Sequence, residues 1–344
     1  MNDARERYRT IDYYSRSEVV NQNRARLEQT VLPVIMAPMF LVSSPKMVVE
    51  GCKNGVIGSF PLLNALTADI LENWMAEITN ELQQAQDADP HKKIAPWAVN
   101  FIAHPSNKRY EEDLKLIKKF QPPIVITSLG DPSPVVKIVH EYNGLVFSDV
   151  INLFYARKAV KRGVDGLILV CNGAGGHAGT LNPFAFLSAV KEFFDGITVL
   201  AGSISNGQDL LAAEALGADF VYMGTRFIAA AESFANEQYQ KMLIDSSMED
   251  LIYTDAFSGI NANYLIPSIR AAGLDPNHLT KKEEVDFSKM NETEAKAWKD
   301  ILSAGQGVHS VKKVQTTVEI VQELQESYEK TVANILKKRS VNKY

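Results

Sequence analysis

The chain has 344 residues, 46% hydrophobic and 22% charged, a composition that suits a globular protein with a large core and excludes a disordered or fibrous one. Its 36 lysines and arginines against 41 aspartates and glutamates leave a net charge of -5, so there is no basic footprint for nucleic acid, and a small molecule is the expected partner. The polar N-terminal stretch lacks the apolar run of a signal peptide, and no segment approaches the roughly 20 apolar residues of a membrane span. The two cysteines, Cys52 and Cys171, stand in no metal-ligand spacing, so the expectation is a cytoplasmic enzyme with no membrane partner, no disulfide framework and no metal.

Residues 1–30 are expected to form a helical extension. Beyond them, short apolar runs rich in β-branched residues recur at 32–36, 55–59, 97–102, 124–128, 144–148, 165–170, 197–201 and 219–223. Segments of helical periodicity separate them, at 45–53, 67–84, 108–120, 134–142, 153–162, 183–194 and 207–216, which is the alternation of repeated βα units. Ser44 and Ser133 can cap their helices, Pro45 and Pro134 suit a first turn, and Gly163 and Gly217 fall just past a helix end. Runs such as Leu167 to Val170 are apolar at consecutive positions and so are buried on both faces. Eight such strands predict a parallel (β/α)8 barrel, of the TIM type, over residues 31–241.

The period breaks over residues 242–306, where Pro267 and Pro276 interrupt isolated apolar residues and a polar stretch runs through Glu284 and Asn291. An excursion of that length predicts a partly helical lid or substrate subdomain rather than a bare loop. Val314, Val318, Val321, Leu324, Tyr328, Val332 and Ile335 then mark the stripe of a long helix within residues 307–344, with Lys337, Lys338 and Arg339 at its favourable end; this helix is expected to pack on the barrel.

In a βα barrel the working groups lie just past the C-terminal strand ends. After the sixth run stands Asn172-Gly173-Ala174-Gly175-Gly176-His177-Ala178-Gly179. Its glycines let the backbone approach a flat ligand, and its single ionisable side chain, His177, can move a proton near neutral pH; taken alone, the stretch also fits a flexible loop with an incidental histidine. After the seventh and eighth runs come Ala201-Gly202-Ser203-Ile204-Ser205-Asn206-Gly207 and Met223-Gly224-Thr225-Arg226-Phe227. Their placement matches the phosphate site common in barrels, although each alone also fits a helix cap. Ala37-Pro38-Met39 and Asn100 end the first and third runs, an apolar lip and an amide that suit a ring edge or, equally, core and turn. His104 is a second-tier candidate. Cys171 reads as a small buried residue, and Arg226 as either a phosphate partner or a solvated helix charge.

Together, Val34-Ile35-Met36-Ala37-Pro38-Met39, Val99-Asn100-Phe101, Gly175-Gly176-His177-Ala178-Gly179, Ala201-Gly202-Ser203-Ile204 and Met223-Gly224-Thr225-Arg226-Phe227 resemble the nitronate monooxygenase family. Tyr253-Thr254, Asn263-Tyr264-Leu265 and Ala304-Gly305-Gln306-Gly307 continue the match and look like the class I bacterial members. The resemblance implies an FMN-containing TIM barrel that oxidises alkyl nitronates, propionate 3-nitronate above all, with O2 as acceptor, giving a carbonyl product and nitrite or related nitrogen oxides. By the same match His177 is the catalytic histidine. Gly175, Gly202, Ser203, Tyr222, Met223, Gly224 and Thr225 lie along the FMN phosphate and ribityl chain, and Asn100 and Met39 lie near the ring. Pro38, Ser128, Gly176 and Gln306 complete the implied cofactor set. Two departures stand out: Ser203 occupies a place usually held by Gly or Ala, and the stretch before Gly175-Gly176-His177 is one residue shorter and lacks the Gln-Gly and Glu of other relatives. Two other readings are a flavin-dependent enoyl-acyl-carrier-protein reductase using NAD(P)H, with a similar Gly-Gly-His turn, and a non-catalytic flavin-binding barrel.

Overall fold

The computed structural model describes residues 22, 24–25, 27–281 and 299–341. Most of the predicted N-terminal extension, and the polar stretch through Glu284 and Asn291, lie outside the described residues.

Eight parallel strands form one sheet. In chain order they are β1 (Val34–Met36), β2 (Ser59–Pro61), β3 (Ala98–Ile102), β4 (Ile124–Ser128), β5 (Leu145–Val150), β6 (Gly166–Val170), β8 (Ile197–Ala201) and β9 (Phe220–Met223). The two-residue strand β7 (Gly176–His177) lies outside this sheet. Each strand pairs with the next of the eight, and β9 returns to β1. Between β1 and β2 the contact is a bridge from Ile35 to Ile57, where Met36 N–H donates to Ile57 at 2.8 Å and Ile57 N–H to Val34 at 2.9 Å. The sheet is thus a closed (β/α)8 barrel.

Alternation along each strand sorts the side chains into two cores. Ile35, Ile57, Ala98, Ile124, Ile126, Phe147, Ile168, Val199 and Phe220 fill the barrel interior. Val34, Val99, Val125, Val146, Leu167, Leu169, Leu200 and Val221 face the surrounding helices. Burial on both faces is why these strands read as unbroken apolar runs.

The outer helices are α1 (Pro45–Lys53), α2 (Ala68–Ala88), α3 (Tyr110–Phe120), α4 (Ser133–Glu141), α5 (Leu153–Lys161), α6 (Pro183–Lys191) and α7 (Gly207–Ala215). Polar side chains start most of them: Ser44, Thr67, Asn152, Asn182 and Asn206 each accept from a backbone N–H of the first turn. Helix α4 differs from expectation. Ser133 lies inside it, and Asp131 Oδ1 takes the Ser133 N–H at 3.0 Å and its hydroxyl at 2.7 Å.

Residues beyond β9 are more ordered than their sequence foretold. Helices α8 (Thr225–Ile228) and α9 (Glu237–Asp245) precede strands β10 (Leu251–Thr254) and β11 (Ala262–Leu265), followed by α10 (Ile266–Ala271). Strands β10 and β11 form an antiparallel hairpin whose second strand also pairs with β7, Ala262 opposite His177 and Asn263 opposite Gly176. The terminal helix α11 (Thr317–Val341) packs on α7 through Ile320, Val321, Leu324 and Tyr328. Its packing stripe is shorter than expected, because Val314 and Ile335 are exposed. No helix among the described residues is long and apolar enough to cross a membrane.

Candidate active site

Four loops at the C-terminal strand ends converge with a fifth from beyond the barrel. The turn after β6 is closed by Asn172 N–H donating to Leu181 at 2.9 Å and Gly179 N–H to Val170 at 3.2 Å. Within it Gly173 and Gly176 take positive φ angles of 81° and 69°, conformations that cost a side chain most. A Cβ on Gly175 would meet the Gly305 nitrogen at 2.8 Å, so this turn and residues 304–306 touch backbone to backbone. Gln306 N–H donates to Gly173 at 2.9 Å, and Gly305 N–H to Thr225 Oγ1 at 2.8 Å. After β8, Gly202 and Ser203 are both left-handed, with φ of 119° and 58°; Ser203 Oγ lies 3.4 Å from Gln306 Oε1.

The structure therefore brings Gly173, Gly175, Gly202, Ser203, Thr225 and Gln306 together. Gly224 faces the β1 lip, where a Cβ on it would lie 3.4 Å from Met39 Sδ and 3.5 Å from Ala37; Pro38 sits between those two in sequence. Met223 stands apart: its side chain is buried in the shell between barrel and helices, which leaves only its backbone toward the mouth. Arg226 is neither a solvated charge nor aimed at that cluster. It is 5% exposed and held by Glu323 at 2.6 Å and Gln315 at 2.9 Å.

A second group forms the top polar layer of the barrel interior. Asn100 Nδ2 donates to Ser128 Oγ at 2.6 Å, and Ser128 Oγ donates to Asp149 Oδ2 at 2.5 Å. Asp149 follows the interior Phe147 by two residues, so it points inward from the end of β5. Tyr222, two residues after Phe220, points into the same interior from β9 rather than along the loops. Burial pushes the Asp149 carboxyl up to about 6 against the hydrogen bond from Ser128. Burial and the Asp149 charge hold the Tyr222 phenol well above its ordinary value. Asp149 Oδ1 and the Tyr222 hydroxyl are buried without a hydrogen-bond partner in the protein.

His177 is held by the hairpin. Its Nε2 lies 2.9 Å from Ser258 Oγ, in the loop joining β10 and β11. Ser258 Oγ donates its one hydrogen to Ile260 at 3.0 Å, which leaves it an acceptor for an Nε2–H of the ring. Desolvation pushes the imidazole down to about 4, so the resting ring is neutral at pH 7. Tyr253 hydroxyl donates to Ala178 at 2.8 Å and Asn263 Nδ2 to Ala174 at 2.7 Å, pinning both flanks of the histidine.

The remaining sequence candidates lie elsewhere. His104 Nδ1 is engaged with Ser106 of its own loop at 2.7 Å. Burial pushes the Cys171 thiol up to about 12, which removes it as a nucleophile. Sequence reading missed Asp149 and Ser258, and gave Tyr253 and Asn263 as part of the family match without a role at the site. Asp149 left a signal there, as a carboxylate beside an apolar run.

A (β/α)8 barrel whose strand-end loops bring together glycine turns, a half-buried histidine and unpartnered interior polar atoms makes the barrel mouth the candidate active site. The family model for nitronate monooxygenase matches residues 21–327, and the chain belongs to that family of flavin-dependent oxidoreductases. It is 26% identical over 288 residues to a nitronate monooxygenase of Paraburkholderia phytofirmans, covering 71% of this chain and 76% of that protein. A probable nitronate monooxygenase of Staphylococcus aureus is 26% identical over 272 residues, covering 69% and 77%. Among solved structures, a nitroalkane oxidase from Streptomyces ansochromogenes superposes with a TM-score of 0.75 at 22% identity, over 89% of this chain and 99% of that one. FabK from Thermotoga maritima superposes at 0.73 and 22%, over 91% and 97%. At such identities these two structures speak to the fold alone.

Proposed function

We propose that this chain oxidises alkyl nitronates, of the propionate 3-nitronate type, with FMN as cofactor and O2 as acceptor, yielding a carbonyl compound and nitrite or a related nitrogen oxide. The observation that carries this reading is His177, a neutral imidazole oriented by Ser258 beside the glycine turn, in a chain of the nitronate monooxygenase family. The residues present fit a flavin: Asp149 Oδ1 and the Tyr222 hydroxyl are buried polar atoms whose protein neighbours leave them unpartnered, as a heteroatom-rich ring requires. Gly175, Gly176, Gly202, Ser203, Gly224, Thr225 and Gln306 would take the phosphate and ribityl end, and Pro38, Met39, Asn100, Ser128 and Tyr222 the ring.

When bound, FMN supplies the electron acceptor that O2 reoxidises. A nitronate is already a carbanion equivalent and needs no base; the turn and the hairpin would position it. A neutral nitroalkane must first lose its α-proton, and His177 is the base placed for that transfer. Because the resting ring is neutral, holding an anionic nitro group falls to hydrogen bonding rather than to an imidazolium.

The enoyl reductase reading of the Gly-Gly-His turn makes one discrimination necessary. In anaerobic stopped-flow mixing, propionate 3-nitronate is expected to bleach the flavin fast, and NADH or NADPH slowly or not at all. Fast bleaching by NAD(P)H with none by nitronate would transfer the chain to the enoyl reductase reading, and no bleaching by either would make it a binding barrel.

A further inference from the structure

The barrel interior ends in a layer unlike those beneath it. Ile124, Ile126, Phe147, Ile168, Val199 and Phe220 are apolar, whereas the strand ends above them carry Asn100, Ser128, Asp149 and Tyr222. A hydrophobic interior gains nothing by ending in a carboxyl and a phenol. The chain from Asn100 through Ser128 satisfies one carboxyl oxygen of Asp149 and leaves the other without a protein donor. Tyr222 is close enough for the Asp149 charge to act on its phenol, yet its hydroxyl too lacks a partner. Buried polar atoms in native proteins are rarely left so, and two that face the same end of the barrel interior mark a place where a ligand completes the bonding.

The two groups differ in what they ask of that ligand. An ionised carboxyl oxygen only accepts, while the phenol can donate. Together they match an edge that presents one N–H beside a carbonyl. On an oxidised isoalloxazine that pattern belongs to the pyrimidine edge, whose N3–H is the sole ring N–H, flanked by two carbonyls. We infer that Asp149 and Tyr222 form the polar floor of the flavin site and recognise its pyrimidine edge, Asp149 Oδ1 accepting from N3–H and the Tyr222 hydroxyl donating to a neighbouring carbonyl. This rests on the reading that flavin binds at the barrel mouth. It assigns Asp149 as a cofactor ligand and gives Tyr222 a specific partner on the ring. Asn100 and Ser128 act through Asp149, fixing its rotamer and sparing Oδ1 for the ring.

Binding, read by quenching of flavin fluorescence, tests this without turnover. Apoprotein from the wild type, Asp149→Asn, Asp149→Ala and Tyr222→Phe is titrated with FMN and with its N3-methyl analogue, and thermal melts of each apoprotein check folding. For wild type the N3-methyl analogue is expected to bind at least tenfold more weakly than FMN. Asp149→Ala weakens FMN at least tenfold and binds the two flavins alike, because the group that told them apart is gone. Tyr222→Phe weakens both equally. Equal wild-type affinity for the two flavins would overturn the inference, as would an N3-methyl penalty that survives in both Asp149 variants. Should Asp149→Ala fail to fold, the wild-type comparison and Asp149→Asn still decide. Failure of wild type to bind FMN at all would instead strike the functional reading beneath it.

Discussion

His177 works from an unusual starting point for a histidine. Burial holds its imidazole down at about 4, and Ser258 takes the Nε2–H. A base that stays deprotonated well below its ordinary range keeps working in acid. With a neutral nitroalkane, kcat/KM is expected to stay level from pH 7 to about pH 5 and to fall only as the pH nears 4; an acid limb centred near the ordinary histidine value would refute a desolvated base. His177→Ala is expected to retain FMN and lose roughly 100-fold in turnover on the same substrate, the usual worth of a positioned acid–base group. Asp149 titrates with the opposite consequence for stability. Its carboxyl is raised to about 6 in the fold, so native protein resists its ionisation and stability is lost as pH rises through that value. Asp149→Asn is therefore expected to raise the apoprotein melting temperature at pH 8 and leave it little changed at pH 3, below both the folded value of about 6 and the ordinary value of 3.8; an equal shift at the two would contradict the assignment. His177 was legible in sequence because the glycine-rich turn that carries it follows a strand directly. Asp149 was not, since the apolar pattern placed the end of its strand at residue 148, whereas β5 runs on to Val150. An error of two residues at a strand end hid a group of the site.

At the level of elements, the β10–β11 hairpin supplies what the barrel lacks. It pairs with β7, carries Ser258, and anchors the turn through Tyr253 and Asn263. Ser258 is a positioning residue, acting through the histidine. Ser258→Ala is expected to lower kcat about tenfold, equivalent to one hydrogen bond of about 1.4 kcal/mol, with KM nearly unchanged and Ser258→Thr restoring most of it. A loss confined to KM would place Ser258 against substrate instead. The hairpin escaped sequence reading for a physical reason. Leu251–Thr254 and Ala262–Leu265 are four-residue strands, too short to declare a period, and the second is fully buried and so does not alternate. Their register is set partly by Gly176 and His177, far away in sequence. The barrel strands depended on no such partner: burial on both faces wrote each one into its own run of residues.

Across the whole molecule, the terminal helix proves to be more than a cover. Arg226, in the first turn after the Gly224–Thr225 loop, reaches into the interface with α11 and is held by Glu323 and Gln315. Helix α7, into which the Gly202–Ser203 loop runs, lies so close that a Cβ on Gly207 would meet the Leu324 carbonyl at 2.6 Å. The chain's end thus fixes two of the loops that form the site. Glu323→Ala leaves a buried guanidinium without its charge partner, and a loss of roughly 1–3 kcal/mol of stability by urea denaturation is expected, below the value for a fully buried pair because Glu323 is half exposed. An unchanged midpoint would show that Gln315 alone suffices. The central claim is that this barrel holds a flavin which nitronates reduce. Its most direct test is the anaerobic visible spectrum of the purified protein during titration with propionate 3-nitronate. A flavin spectrum that bleaches in proportion to added nitronate and returns when O2 is admitted is the predicted result; a flavin that nitronate leaves oxidised, or protein that binds no flavin, would contradict it.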